Sequence, residues 1–190
     1  MNRFENWFCA SSIWKYATRR RLLPWLLADT DLGEHVLELG AGFGATTGEL
    51  RGRARRVTSL EYDHRFVAEL HARFPDGNGH ALQGDAAALP FADKTFSSAL
   101  AVLVLHHLRD VEQQEKTLAE VYRVLRPGGT FLAFEIPDGW FNRVLHTKST
   151  FVPVAPGSAI AQLRAAGFAK VSTDLRPGGF RIRAVRALEA

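Results

Sequence analysis

The sequence is poor in cysteine and in long apolar runs. Its one cysteine, Cys9, has no partner for a disulfide within the chain, and no group of Cys and His has the spacing typical of zinc ligands, so no metal site is expected. Charged residues such as Arg3, Glu5 and Lys15 interrupt the first 27 residues, which argues against a signal peptide or a membrane span. These absences predict a soluble protein of the reducing cytoplasm.

The size and charge of the chain limit its organisation and its partners. It has 190 residues, no internal repeat and no low-complexity run, which predicts one domain over residues 1–190. The net charge of +4 invites a nucleic-acid interpretation, but the arginine clusters at 19–21 and 51–56 are short and suit solvated faces or helix ends. A small-molecule partner is therefore favoured over nucleic acid, while monomer and homodimer both stay open.

Short apolar runs alternate with helical patterns through most of the chain. The periodicity predicts amphipathic helices at 63–74 and from Asp110 to Leu125. Asp63 is placed to cap the first helix, and Asp110, with Gln113 three residues on, to cap the second. Five strands are predicted at 35–39, 56–60, 80–83, 98–105 and 130–136, followed by a short helix from Ser158 and strands near 168–175 and 180–187. This order predicts an α/β fold with a Rossmann-like, doubly wound, mostly parallel sheet of seven strands that ends in an antiparallel hairpin.

Two segments outside this alternating pattern are rich in aromatic residues. Residues 1–30 are expected to form a helical lid or support, and residues 137–157 a long loop that covers the substrate. The side chains expected to contact an apolar or aromatic substrate are Trp14, Tyr16, Trp140 and Phe141.

Three glycines follow the first predicted strand directly. Gly40, Gly42 and Gly44 allow backbone angles that side chains disfavour and let a ligand approach the main chain, while Glu61 lies about 20 residues further on, where an acid would bind a ribose. On these residues alone, NAD and S-adenosylmethionine both remain open as ligands.

Two further acids favour the second ligand. Glu38 precedes the first glycine, where a carboxylate would repel a pyrophosphate but could organise a turn that faces the cationic amino-acid portion of S-adenosylmethionine. Asp85 follows the third strand, where it could accept a hydrogen bond from an adenine amino group.

At this point the chain resembles a class I S-adenosylmethionine-dependent methyltransferase, of the small-molecule type similar to ubiquinone and menaquinone methylases. The matching motifs lie in order between residue 36 and about residue 136. They are Glu38–Gly44, Glu61, Gly84-Asp85-Ala86, Leu105-His106-His107-Leu108 and Leu125-Arg126-Pro127-Gly128-Gly129.

The resemblance implies S-adenosyl-L-methionine as the cofactor, with S-adenosyl-L-homocysteine as the product. It places the glycine turn on the methionyl portion, Glu61 on the ribose hydroxyls, and Asp85 with the Ala86 backbone on the adenine. The residues that it implies for cofactor binding are Glu38, Gly40, Ala41, Gly42, Gly44, Glu61, Tyr62, Asp85, Ala86 and Leu103.

Methyl transfer is an in-line displacement that chiefly needs alignment of the reactants and exclusion of water. A base helps only where the acceptor must lose a proton, and the candidates are His106, His107, Glu135 and His146, with Asp138 nearby. Three alternatives stay open: an NAD(P)-binding oxidoreductase, an RNA methyltransferase that uses the arginine clusters, and a cofactor-binding protein without catalysis. The sequence contains no Asn-Pro-Pro-Tyr motif, which lowers the expectation of nucleic-acid or protein acceptors.

Overall fold

Seven strands form one sheet in the computed structural model, whose described residues are 3–75, 77–147 and 149–189. They are β1 (His35–Leu39), β2 (Arg56–Glu61), β3 (Gly79–Gln83), β4 (Phe96–Val102), β5 (Leu125–Glu135), β6 (Lys170–Arg176) and β7 (Gly179–Val185). Their order across the sheet is β3-β2-β1-β4-β5-β7-β6. The first five strands are parallel, and β7 runs antiparallel to both β5 and β6. The predicted fold class is confirmed.

Helices connect these strands and precede the first of them. They are α1 (Arg3–Ala10), α2 (Ser12–Ala17), α3 (Leu23–Leu26), α4 (Thr47–Arg51), α5 (His64–Arg73), α6 (Val111–Val124), α7 (Trp140–Leu145) and α8 (Pro156–Ala165). A π-helical turn at Thr18–Leu22 joins α2 to α3, and a 3₁₀ turn at Leu105–His107 follows β4. Among the described residues, every helix is too short or too polar to cross a membrane.

The two faces of the sheet bury alternate residues of its central strands. On β4, Ala99 and Ala101 belong to one apolar cluster, whereas Leu100 between them belongs to the cluster on the opposite face. This alternation follows from the two-residue period of a strand, and it explains why the segment reads as a nearly continuous apolar run.

The ends of several elements differ from the sequence-based expectation. The strand predicted at 98–105 ends at Val102, because Leu103 has a φ of 59° that leaves the extended region. The fifth strand begins at Leu125 instead of residue 130, directly after α6. The loop predicted at 137–157 contains a helix, α7.

The chain order of the sheet reverses between β1 and β4, because β1 pairs with β2 on one side and with β4 on the other. In open α/β sheets, ligands bind outside the carboxyl ends of the strands at this reversal. The glycine turn after β1, Glu61 at the end of β2 and Glu135 at the end of β5 all lie at this edge.

The last part of the N-terminal segment, residues 23–26, packs against the sheet. Leu23 and Leu26 are fully buried, and the indole Nε1 of Trp25 donates to Asp174 Oδ2 at 3.1 Å. Arg181 Nη1 donates to the Trp25 carbonyl oxygen at 2.7 Å. Because Asp174 and Arg181 lie on β6 and β7, residues 23–26 support the closing hairpin.

Candidate donor site and histidine cluster

The glycine turn after β1 is held by backbone hydrogen bonds. The Gly40 N–H donates to the carbonyl of Leu60 on β2 at 2.8 Å, and the Gly44 N–H donates to the Ala41 carbonyl at 2.8 Å. Gly40, Gly42 and Gly44 have φ values of 63°, 49° and 71°, a region that glycine occupies at little cost.

The three glycines differ in what surrounds them. A Cβ at Gly40 would lie 2.6 Å from Val104 Cγ2, and a Cβ at Gly44 would lie 2.9 Å from both Leu70 and Phe74. A Cβ at Gly42 would meet nothing within 4 Å. Packing within the protein therefore accounts for the glycine at positions 40 and 44, whereas at Gly42 the position of a Cβ is empty. From the sequence, close approach of a ligand was expected at all three glycines.

Glu61, at the end of β2, joins the glycine turn to the start of α5. Its Oε2 accepts the Gly42 N–H at 2.8 Å, and its Oε1 accepts the Asp63 N–H at 3.0 Å. The side chain is only 9% exposed, so its carboxylate forms part of the floor of the site. Asp63 itself caps α5 by accepting the Arg65 N–H at 3.0 Å, as the sequence predicted.

Glu38 lies beneath the turn and is 2% exposed. One carboxylate oxygen accepts the hydroxyl of Thr46, and the other accepts Thr47 Oγ1 at 2.7 Å and Ser59 Oγ at 2.6 Å. Burial raises the pKa of this carboxyl, and the three hydroxyl donors partly oppose that effect. Glu38 thus ties the turn to the start of α4 from inside the protein, and its predicted contact with the cofactor stays a prediction.

The other residues expected at the donor site lie at the same edge of the sheet. Asp85 is half-buried two residues after β3, and its Oδ1 accepts the Ala87 N–H at 2.9 Å. Ala86 packs against the main core, whereas Tyr62 is 75% exposed. Leu103 is half-buried, and its N–H donates to the Phe134 carbonyl at 2.9 Å. All of them follow strands that end at the edge that carries the glycine turn, and their contacts with the cofactor stay predictions.

A groove of about 360 Å³ lies beside the turn at Phe43. Its other lining residues are Lys15, Glu69, Ala72 and Arg73. Because it contains neither Glu61 nor Asp85, we do not assign the donor to this groove.

Glu135, at the end of β5, organises the chain that follows β4. It is fully buried, and its Oε1 accepts the N–H groups of Val104 at 3.0 Å and Leu105 at 2.7 Å. Its Oε2 accepts the Nδ1–H of His106 at 2.5 Å. Both carboxylate oxygens of Glu135 thus accept hydrogen bonds, and one of them positions the His106 ring. From the sequence, Glu135 was considered as a base.

The structure brings all three histidines considered as bases together. His106 is 1% exposed and His146 is 8% exposed, while His107 is half-buried. The centroids of their rings are 4.2 to 5.4 Å apart, and Phe151 stacks on His146 at 4.5 Å. Burial, with the neighbouring His106 ring, lowers the pKa of His107 to about 3, so this imidazole is neutral at pH 7.

The aromatic residues expected to contact substrate occupy different environments. Tyr16 and Trp140 are 65% and 77% exposed, whereas Trp14 is half-buried against Phe8, with ring centroids 5.4 Å apart. The backbone of Phe141 belongs to α7, but its side chain lies outside the described residues. Asp138 pairs with Arg143 through two contacts of 2.7 Å, which occupy both carboxylate oxygens.

Several residues at this edge were missed by the sequence-based reasoning. Glu5 is buried, it accepts the Ser149 hydroxyl, and its Oε1 lies 3.8 Å from His146 Nε2. Thr46, Thr47 and Ser59 carry an indirect signal, since hydroxyls close to a strand-end acid are natural donors to it. Glu5 carries no such signal, because it is 141 positions away from His146.

Comparison with known families agrees with the geometry. The family model described as "Methyltransferase domain" matches residues 37–133, just over half of the chain. The crystal structure of a SAM-dependent methyltransferase from Methanosarcina mazei resembles the fold with a TM-score of 0.68 at 20% identity, covering 83% of this chain and 94% of that chain.

Proteins with similar sequences are also named as methyltransferases. A protein of Mycolicibacterium smegmatis named as an S-adenosylmethionine-dependent methyltransferase is 33% identical over 156 residues, 82% of this chain and 55% of that protein. A demethylmenaquinone methyltransferase of Beutenbergia cavernae is 40% identical over 103 residues, 54% of this chain and 41% of that protein. The chain spans about half the length of these curated relatives. The family match extends from β1 to β5, the strands whose carboxyl ends carry the site, and the chain therefore belongs to the family of S-adenosylmethionine-dependent methyltransferases.

Proposed function

We propose that the chain transfers the methyl group of S-adenosylmethionine to a small, planar aromatic acceptor. The observation that carries the donor half of this proposal is the open space at Gly42, beside the buried carboxylate of Glu61. Gly42 combines a positive φ with an empty Cβ position, and its N–H donates to the buried carboxylate of Glu61.

The residues around this space fit the chemistry of the donor. Glu61 is a buried hydrogen-bond acceptor at a strand end, which suits a ribose diol. Asp85 lies after β3, and its Oδ2 is the oxygen available to an adenine amino group because Oδ1 accepts the Ala87 N–H. The donor supplies an activated methyl on a sulfonium, and these residues bind and orient it.

The acceptor half of the proposal rests on exposed aromatic surface and on the relatives. Tyr16 and Trp140 present large rings to solvent, from the N-terminal segment and from the segment after β5. Such rings favour a flat apolar partner. Several relatives are named demethylmenaquinone methyltransferases, which agrees with an aromatic acceptor of the quinone type.

The side chains of the protein need to align the reactants and exclude water, and they form no covalent bond with the substrate in this reaction. Alignment of acceptor, methyl and sulfur in a water-poor site accounts for most of the acceleration expected of such a transfer. We assign no base at this edge, because Glu135 already accepts three hydrogen bonds and the half-buried His107 has a pKa of about 3.

Two measurements test the proposal. Calorimetry should show binding of S-adenosylmethionine and of S-adenosylhomocysteine to the folded chain. A coupled assay with a reduced, demethylated naphthoquinone should then show formation of S-adenosylhomocysteine. If the folded chain bound neither S-adenosylmethionine nor S-adenosylhomocysteine, the proposed donor would be contradicted. If it bound them but did not methylate this naphthoquinone, the proposed acceptor would be contradicted.

Two further measurements separate the alternatives. Tight NADH binding, seen as a change in its fluorescence, would support an oxidoreductase. A strongly salt-dependent affinity for RNA would support an RNA methyltransferase. Against the latter, Arg19 and Arg53 of the arginine clusters both pair with Glu49, at 3.1 and 3.0 Å.

A further inference from the structure

The three histidines of the cluster bring ring nitrogens close to one another. One nitrogen from each of His106, His107 and His146 lies within 4.8 Å of the other two. A tetrahedral Zn²⁺ with Zn–N bonds of about 2.0–2.1 Å holds its ligand nitrogens about 3.3 Å apart. The nitrogens would therefore need to approach one another by about 1.5 Å at most to bind one ion.

The Nδ1 atom of each ring has a hydrogen-bond acceptor. Nδ1 of His106 donates to Glu135 Oε2 at 2.5 Å, Nδ1 of His107 to the Thr150 carbonyl at 3.2 Å, and Nδ1 of His146 to the Asn142 carbonyl at 2.6 Å. Acceptors at Nδ1 fix the tautomer, so the lone pair of each ring lies on Nε2. Metal-bound histidines are held in this same way, by a carboxylate or a carbonyl at the non-ligating nitrogen.

We propose that His106, His107 and His146 form a binding site for a divalent transition-metal ion of the zinc class. Three neutral imidazoles with no thiolate are a ligand set that suits Zn²⁺, Co²⁺ or Ni²⁺, and not Mg²⁺ or Ca²⁺. Three protein ligands also leave a fourth position for water or for a small oxygen or sulfur ligand.

The surroundings of the cluster agree with a cation. The buried carboxylates of Glu135 and Glu5 lie on two sides: Glu135 touches His106, and Glu5 Oε1 is 3.8 Å from His146 Nε2. They supply negative charge that would offset the charge of the ion.

The test is metal binding by the purified full chain, with neither donor nor acceptor present, so that its result does not depend on the proposed function. After removal of metal with a chelator, Zn²⁺ should bind with a stoichiometry of one, in competition with a chromogenic chelator. Substituted Co²⁺ should give the intense visible absorption of a tetrahedral site, and saturating Zn²⁺ should raise the melting temperature.

Matched variants assign the ion to the cluster. His107→Ala, at the half-buried position, and His146→Gln, which keeps the side chain's bulk, should each weaken Zn²⁺ binding by at least about 10-fold and abolish the Co²⁺ spectrum. His80→Ala, at an exposed position of β3, should bind as the unchanged chain does. Circular dichroism verifies that each variant is folded.

Two outcomes would overturn the proposal. One is the absence of bound Zn²⁺ at micromolar free metal in the folded protein. The other is binding that survives unchanged in both His107→Ala and His146→Gln, which would place the ion elsewhere.

Discussion

The Oε2 atom of Glu61 accepts the backbone N–H of Gly42 at 2.8 Å, so the acid expected to bind the ribose also fixes the one glycine of the turn whose Cβ position is empty. The two strand ends on which the donor would rest are thereby coupled. A change at Glu61 is expected to alter the shape of the turn as well as to remove a contact with the ligand.

This coupling gives the first prediction. Glu61→Gln should weaken S-adenosylmethionine binding by about 10- to 100-fold, because a charged acceptor is lost and the Gly42 and Asp63 N–H groups are less well satisfied. Calorimetry measures the affinity. Glu69→Gln, at an exposed position of α5, is the control and should bind normally. Unchanged affinity in Glu61→Gln would remove Glu61 from the site.

The open space at Gly42 gives the second. Gly42→Ala should abolish donor binding, and it should lower the free energy of unfolding by only about 1–2 kcal/mol, the cost of a side chain at positive φ. Gly178→Ala is a matched control, because Gly178 has a φ of 95° and also nothing within 4 Å of its Cβ position. It should show a similar loss of stability with normal binding, measured by urea unfolding and calorimetry.

A third prediction concerns Glu38. Glu38→Ala leaves three hydroxyls without their acceptor inside the protein, so unfolding free energy should fall by about 2–3 kcal/mol. Glu34→Ala, just before β1, removes an exposed carboxylate whose pair with Arg55 is 3.7 Å long, and it should change stability by no more than about 0.5 kcal/mol. Equal losses of stability at the two positions would show that the hydrogen bonds from Thr46, Thr47 and Ser59 to Glu38 do not stabilise the fold.

The exposed ring of Trp140 gives the fourth. Trp140→Ala should raise KM for the naphthoquinol acceptor while leaving the donor Kd and the melting temperature unchanged, since the ring is 77% exposed and contributes little to the fold. Leu188→Ala, at a residue that is 79% exposed, is the control for loss of surface apolar area. An unchanged KM in Trp140→Ala would exclude this ring from acceptor binding.

The cap of α5 gives a pH dependence. Hydrogen bonds from Arg65 hold the pKa of Asp63 well below its usual value, so the ionised cap stabilises the folded state above the unfolded pKa of about 3.9, and this contribution is lost as the pH falls. Asp63→Ala should cost about 1 kcal/mol at pH 7 and less at pH 4, measured by urea unfolding. A cost that grows on acidification would contradict this assignment.

Much of the fold followed from the sequence because the signals were local. Periodicity located the strands, and Asp110 and Asp63 were recognised as caps from the residues that follow them. The end of β4 was wrong by three residues, because Leu103 is apolar like the strand before it and only its backbone angle separates the two.

The histidine cluster, by contrast, could not be predicted as a unit. His106 and His107 follow β4, and His146 ends the short helix α7 within a segment that the sequence presents as a loop. Zinc-ligand patterns depend on close spacing along the chain, whereas these three histidines meet only after the segment beyond β5 folds back onto the end of β4. The buried Glu5 reaches the same place from the N-terminus.

Because the three glycines have different neighbours, substitutions at their positions are expected to be tolerated to different extents during evolution. Gly40 and Gly44 are required by contacts with Val104, Leu70 and Phe74, so selection for folding alone preserves them. Gly42 has no such neighbour. In a descendant that stopped using the donor, Gly42 would be the first of the three to drift, towards residues such as Asn that tolerate its backbone angle, and a motif search that weights all three glycines equally would still count that descendant as a methyltransferase.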